Sequence, residues 1–215
     1  MEPYFERDGI TIYHADCADV LPGVDPASVG LLLTDPPYGI SHDTDYSGMG
    51  GRSYRRIVGD AAPFDPGPLL RFARVGLFGA NYYSSRLPEG RWIVWQKSLD
   101  PDGVAGRPAS DAELLWHNCG GKPVEVFPHL WVGYFRASER RAYLHPTQKP
   151  VALMRHLVER WTRPGDLVLD PYMGSGPIAQ ACLELGRRYI GVEIDEGYCR
   201  ITVEHRLGQP TLLYD

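Results

Sequence analysis

Four consecutive residues, Asp35-Pro36-Pro37-Tyr38, stand directly after the apolar run VGLLLT at 29–34. Together they suit one task, the activation of an amino group attached to an aromatic ring. Such a nitrogen is a poor nucleophile because its lone pair is delocalised into the ring. If two acceptors each take one N–H, the nitrogen can pyramidalise and direct its lone pair at an electrophile. The Asp35 carboxylate and the Pro36 carbonyl are candidates for that pair. A prolyl nitrogen carries no hydrogen, so the turn offers acceptors without a competing donor. Two prolines also restrict the loop to few shapes, which lowers the entropic cost of positioning. Tyr38 supplies a ring on which a base can stack, worth roughly 1–3 kcal/mol in nucleic-acid systems. The plainer alternative is a stiff turn ending a strand, with Tyr38 as a packing residue.

A second segment, Asp170-Pro171-Tyr172-Met173-Gly174-Ser175-Gly176, precedes a helix and then Val192-Glu193-Ile194-Asp195. Glycines where a strand turns into a helix let a ligand approach the backbone closely. Glu193 follows at about the spacing at which carboxylates hold ribose hydroxyls in nucleotide sites. The pattern is not GxGxxG and lacks the P-loop lysine, which disfavours a phosphate cradle. The glycine turn alone is weak evidence. Joined with the acid at that distance and with DPPY, it is specific.

The elements that must position these residues follow from patterning. Residues 10–15 predict a strand ending at Asp16, and 29–34 a buried strand stopped by Asp35-Pro36-Pro37. Open parallel sheets hold ligands beyond the carboxyl ends of their strands, so DPPY is expected on the functional rim. Residues 39–60 show no periodicity and predict a long loop, of the kind that is functional or disordered. PGPLLRFAR (66–74) predicts a helix opened by proline, whereas VGLFGA (75–80) and RWIVWQK (91–97) predict strands. SDAELLWHN (110–118) predicts a helix from its Ser/Asp cap signal, and VEVFPHLWVGYF (124–135) is β-like. The clearest helix follows Lys149, with apolar residues at 151, 153, 154, 157, 158 and 161 and a Pro-Gly stop. A strand over 166–170, a helix over 174–186 ended by Gly186 and a strand over 188–195 form a βαβ unit, which requires a parallel pair. The whole predicts an α/β fold with a doubly wound, mostly parallel sheet and helices on both faces, in one domain over 1–215.

The length of 215 residues suits one α/β domain, and 43% hydrophobic with 23% charged residues is ordinary for a globular protein. No apolar stretch is long enough to span a bilayer. MEPYFERDGI lacks a charged-then-apolar signal pattern. No membrane partner and a cytoplasmic location are therefore expected. Cys17, Cys119, Cys182 and Cys199 lie far apart without a CxxC pair. With seven scattered histidines they form neither a zinc spacing nor a disulfide framework, so no metal and a reducing compartment are expected. The net charge of −5 argues against a nucleic-acid partner at first sight. Phosphate binding needs only a local basic patch, however. Two clusters qualify, Arg52, Arg55 and Arg56, then Arg136, Arg140 and Arg141, each balanced against a merely solvated face.

LLLTDPPYG resembles the catalytic motif of DNA amino-methyltransferases, the enzymes of adenine N6 and cytosine N4. LDPYMGSG and GVEID resemble their cofactor motifs, and LHPTQKP at 144–150 the segment that precedes them. The order, catalytic motif first, resembles the permuted beta subgroup. The similarity covers about residues 10–40 and 144–206. It implies a Rossmann-like fold, S-adenosylmethionine as cofactor and DNA as partner. On that resemblance Asp35, Pro36, Pro37 and Tyr38 hold and stack a flipped-out base, with Asp35 also bordering the cofactor. Asp170, Pro171, Tyr172, Gly174, Ser175 and Gly176 shape the pocket for the methionine part. Glu193 and the adjoining Ile194 serve the ribose side. Asp16 and Cys17 match the position expected near the cofactor adenine, although Asp16 reads equally well as a strand-end cap. His145, Thr147 and Lys149 would lie near the cofactor carboxylate, where an ammonium is electrostatically sensible.

Aspartate before the prolines leans toward adenine, since cytosine N4 enzymes more often resemble Ser-Pro-Pro. Pro177 departs from the family's usual Thr, and Tyr172 from its Phe. Family members with long recognition sequences carry a larger insert between the motifs, so loop 39–60 and segment 97–143 here must serve both fold and DNA contact. Methylation of RNA or of protein glutamine is disfavoured, because those enzymes show Asn-Pro-Pro and the unpermuted order. A non-catalytic DNA- or partner-binding module is the alternative from another class. No patch in the sequence establishes a homodimer.

Overall fold

Leu31, Leu32 and Leu33 lie in a strand with no solvent exposure, as a continuous leucine run in a parallel sheet requires. The computed structural model describes residues 1–45, 56–98, 110–132, 135–139, 144 and 147–208. In chain order its strands begin with β1 (Phe5–Arg7), β2 (Ile10–His14), β3 (Leu31–Thr34), β4 (Val75–Phe78) and β5 (Arg91–Gln96). They continue with β6 (Ala112–His117), β7 (Val124–Pro128), β8 (Trp131–Val132), β9 (Phe135–Arg136), β10 (Leu167–Asp170) and β11 (Arg188–Glu193). The helices are α1 (Cys17–Val20), α2 (Val151–Trp161), α3 (Pro177–Leu185) and α4 (Glu196–Ile201), the last continued by a π-helical stretch, Thr202–Leu207.

Two compact units emerge. The first comprises Met1–Thr34, Arg71–Ala73 and Thr147–Asp215. Its strand order is β1-β2-β11-β10-β3, with β2, β11, β10 and β3 mutually parallel and β1 antiparallel at the edge. The β10–α3–β11 crossover is the βαβ unit expected from the sequence. Helix α2 buries Val151, Leu153, Met154, Leu157, Val158 and Trp161, the apolar stripe of its sequence, and packs on α3. Buried Arg187 ties the two helix ends together. Its guanidinium donates to Thr162 Oγ1 (3.0 Å), Thr162 O (2.9 Å) and Leu185 O (2.7 Å). It thereby serves carbonyls that the helices leave without intrahelical partners.

The second unit comprises Asp35–Leu70 and Arg74–Pro146. Its strand order is β4-β6-β5-β7, antiparallel at β4/β6 and β6/β5 and parallel at β5/β7. Leu77, Phe78, Ile93, Trp95, Leu115 and Trp116 form its core.

Three sequence expectations differ from the structure. Residues 110–118 form strand β6, not a helix. Leu115, Trp116 and His117 are buried in succession, and the backbone pairs with both β4 and β5, so tertiary pairing overrides the cap signal. Ser110 Oγ donates to Ala112 O (2.6 Å) instead of accepting from a helix amide. PGPLLRFAR forms only a 3₁₀ turn at Gly67–Leu69, since two prolines and a glycine deprive a helix of donors and propensity there. The closing helix was not expected; Asp195 caps it, its Oδ1 accepting from Gly197 N at 2.7 Å. Among the described residues no helix is long and apolar enough to cross a membrane.

Candidate active site

Parallel strands place their carboxyl ends on one edge, so His14, Thr34, Asp170 and Glu193 close β2, β3, β10 and β11 at the same end of the first unit. That edge is where open α/β sheets receive ligands. Asp170, 1% exposed, is turned inward. Its Oδ1 accepts from Thr34 Oγ1 (2.6 Å) and Tyr172 N (3.3 Å), and its Oδ2 from Tyr189 Oη (3.0 Å). Thr34 Oγ1 also accepts from Tyr172 N (3.2 Å). Burial and the adjacent Asp170 charge push the Tyr189 phenol well above its ordinary range, so it remains a donor. Asp170 thus shapes the loop from within. Thr34 and Tyr189, its partners, were not singled out from the sequence. Thr34 is also the residue that precedes Asp35 in the chain.

Beyond Asp170 the backbone turns through Gly174 and Gly176, both at positive φ. Gly174 N donates to Glu193 Oε2 and Asp195 N to Glu193 Oε1, each at 2.8 Å. Burial raises the Glu193 pKa above the ordinary carboxylate range, and these amides pull against that shift. Each oxygen accepts one amide and has a second lone pair for a ligand hydroxyl. Ser175 is 2% exposed, and its Oγ has no hydrogen-bond partner among the described residues. A glycine turn, a fixed carboxylate and an unsatisfied hydroxyl fit the ribose and methionine parts of S-adenosylmethionine. Pro171 is buried beside them, and Ile194 is exposed at the strand end.

Asp16 is exposed and caps α1, its Oδ1 accepting from Ala18 N (2.9 Å). Cys17 is hydrogen-bonded to the Tyr172 side chain, and burial raises both their pKa values. Thr147 and Lys149 belong to this first unit. Lys149 is buried, and its Nζ donates to Thr147 O (3.4 Å). His145 lies outside the described residues.

In the second unit Tyr38 Oη donates to Asp35 Oδ1 at 2.5 Å. Burial, reinforced by the Asp35 charge, raises the Tyr38 pKa well above its ordinary range, so the phenol keeps its proton. Pro36 is buried and Asp35 half-buried. The Tyr38 ring lies against Gly79, where a Cβ would fall 2.0 Å from it, and φ is +63°. Any side chain at 79 would expel the ring. Tyr82, 54% exposed, stacks on Tyr38 with centroids 5.3 Å apart and planes 18° apart. Asp60, 4% exposed, holds the loop that follows. Its Oδ1 accepts from Gly39 N (2.8 Å) and Ile40 N (3.3 Å), its Oδ2 from His42 N (2.7 Å), and its carbonyl from Ser41 N (2.8 Å). Nothing in the sequence singled out Asp60 at the far end of the predicted loop, because its burial shows only in the fold. Tyr82 had no signal beyond its aromatic type.

The arginine clusters fare unequally. Arg136 is 9% exposed, its guanidinium 4.2 Å from the Trp131 ring centroid. That burial takes it off the list of phosphate contacts, because its charge is stacked on an aromatic face and not presented to solvent. Arg56 is exposed, as a phosphate contact requires. Arg52, Arg55, Arg140 and Arg141 lie outside the described residues. Among the described residues no cluster of His, Cys, Asp or Glu could hold a metal.

A family model described as DNA methylase, of the N6/N4 methyltransferase type, matches residues 119–204. The chain is 27% identical to the Type II methyltransferase M2.LlaDCHI of Lactococcus lactis subsp. cremoris, over 93% of this chain and 90% of that protein. It is 26% identical to M2.DpnII of Streptococcus pneumoniae with the same coverage. Among solved structures, the M1.HpyAVI–SAM complex superposes with a TM-score of 0.56 at 24% identity, covering 91% of this chain and 98% of that one. The cytosine-N4-specific PvuII DNA methyltransferase superposes at 0.65 with 13% identity, covering 99% and 91%. These similarities establish a Rossmann-like methyltransferase fold. The chain is thus similar over residues 119–204 to N6/N4 DNA methylases and over most of its length to Type II DNA methyltransferases, enzymes whose methyl donor is S-adenosylmethionine.

Proposed function

We propose that this protein methylates the N6 nitrogen of adenine in DNA, on a base extruded from the helix. The observation that carries the reading is the Asp35 carboxylate, oriented by Tyr38 at 2.5 Å and followed by the proline carbonyl that supplies a second acceptor. The base stacks on Tyr38, and Asp35 and Pro36 O each accept one N–H of its amino group. This localises the lone pair on nitrogen. The bound cofactor supplies an electrophilic sulfonium methyl. Its thioether would be the leaving group for attack by the amino nitrogen, and Asp35 would receive the N–H proton which that nitrogen gives up. The negative charge of Asp35 stabilises the positive charge that develops on nitrogen.

In the first unit Glu193 holds the ribose hydroxyls, and the 174–176 turn receives the methionine part. Asp16 and Cys17 border the adenine, and Lys149 pairs with the carboxylate. Arg56, with Arg52, Arg55, Arg140 and Arg141, grips DNA phosphates. Aspartate in place of serine before Pro36 favours adenine over cytosine.

Incubation of the protein with DNA and methyl-labelled S-adenosylmethionine, followed by nucleoside digestion, tests this. Label in N6-methyladenine is expected. Label in N4-methylcytosine would overturn the base assignment, and no incorporation would point to a binding module on the same fold.

A further inference from the structure

The carbonyls of Gly174 and Ser175 precede the hydrogen-bond ladder of α3, whose first rung is Gln180 N to Gly176 O (3.1 Å). They find their donors on the closing helical segment instead. Thr202 Oγ1 donates to Gly174 O (3.4 Å) and Arg206 Nε to Ser175 O (3.2 Å), while Arg206 Nη1 reaches Gln180 Oε1 on α3 (3.0 Å). Thr202 is fully buried and Arg206 is 4% exposed. The approach is close, because a Cβ on Gly176 would lie 2.3 Å from Thr202 Cγ2. The two side chains are four residues apart, one turn along the segment, and so share a face.

We infer that Thr202 and Arg206 are positioning residues that set the shape of the cofactor loop. A trans peptide is planar, so its N–H and C=O point in opposite directions. Holding the Gly174 carbonyl toward Thr202 therefore aims the Ser175 N–H away from the closing helix. Glu193 fixes the amide of Gly174 from another side (2.8 Å). The turn is thus pinned through one amide and two carbonyls, which leaves it a single shape. Burying a guanidinium is costly unless its hydrogen bonds are made. Arg206 gives its Nε to this turn and its Nη1 to the helix behind it, whereas its buried Nη2 makes no such bond among the described residues. The consequence for the cofactor rests on the methyl-donor reading above; the pinning itself does not.

Equilibrium binding of S-adenosylmethionine in the absence of DNA, with amide hydrogen exchange and thermal unfolding of the free protein, tests the inference in Arg206→Met and Thr202→Val. Thr202→Val keeps the shape at Gly176 and removes only the hydroxyl. Loss of a charge-assisted hydrogen bond to the turn predicts cofactor binding weakened by about tenfold or more in Arg206→Met. Exchange should quicken at the amides of 174–176 and stay unchanged in β2 and β10, and Arg206→Lys should recover part of the affinity. Binding within about twofold of wild type in both variants, or exchange that quickens uniformly across the sheet, would overturn it. If Arg206→Met does not fold, Thr202→Val and Arg206→Lys carry the same comparison. If the wild-type protein binds no S-adenosylmethionine, the methyl-donor reading fails, and the exchange at 174–176 alone decides the brace.

Discussion

Asp35 already accepts the Tyr38 hydroxyl at 2.5 Å, so its orientation precedes any substrate. Tyr38→Phe keeps the stacking ring and removes that donor. It should lower kcat by about ten- to hundredfold, the scale of one charge-assisted hydrogen bond, with KM for DNA little changed. An unchanged kcat would remove the phenol from the positioning of Asp35. Asp60→Asn replaces an acceptor of three backbone amides with a group that has one acceptor oxygen and an NH₂. Weakened turnover with intact cofactor binding is expected, and equal loss of both would mark Asp60 as general scaffold. At Glu193 the sign is set by burial, which lifts the pKa above the ordinary carboxylate range. The ionised form accepts ribose hydroxyls, so cofactor affinity is full above that raised pKa and falls as pH drops through it. Glu193→Gln should bind weakly with no such pH dependence; an identical pH profile in the variant would refute the role. DPPY and Glu193 were legible because their residue types state their chemistry. Thr34, Asp60 and Tyr189 were not, because their partners are far away in sequence.

Elements whose patterning agrees with their environment could be read directly. Helix α2 declared itself by its apolar period, and β3 and β10 by short apolar runs ending in Thr34 and Asp170. Strand β6 could not, since its apolar run Leu114-Leu115-Trp116 is compatible with either state and only pairing with β4 and β5 decides it. The closing helical segment was missed for a related reason. Its Asp195 cap is visible, but Arg206 becomes informative only once Ser175 O lies 3.2 Å away. At this scale Arg187 gives the sharpest stability prediction, because it serves the ends of both α2 and α3. Arg187→Ala should cost roughly 2–4 kcal/mol, the scale of a broken buried hydrogen-bond network, measured by denaturant unfolding. A loss below about 1 kcal/mol would show that water replaces the guanidinium.

The whole chain carries a net charge of −5 and yet is similar to DNA methylases, so the proposed hold on phosphates must be local. Replacing Arg52, Arg55 and Arg56 by alanine should weaken DNA binding and flatten its dependence on salt, since fewer counterions are released. Unchanged affinity and slope would take that cluster off the DNA contacts. The order of motifs along the chain was readable, as was the type of fold they required. What sequence cannot state is whether acceptor and donor groups, encoded more than a hundred residues apart, meet in space. A crystal structure with a methyl-donor analogue and DNA containing an extruded adenine answers that most directly. The predicted result is N6 within hydrogen-bonding distance of Asp35 and Pro36 O, with the sulfonium centre in line and the reacting atoms about 3–3.5 Å apart. An analogue bound at Glu193 with its sulfur remote from Asp35 would contradict it.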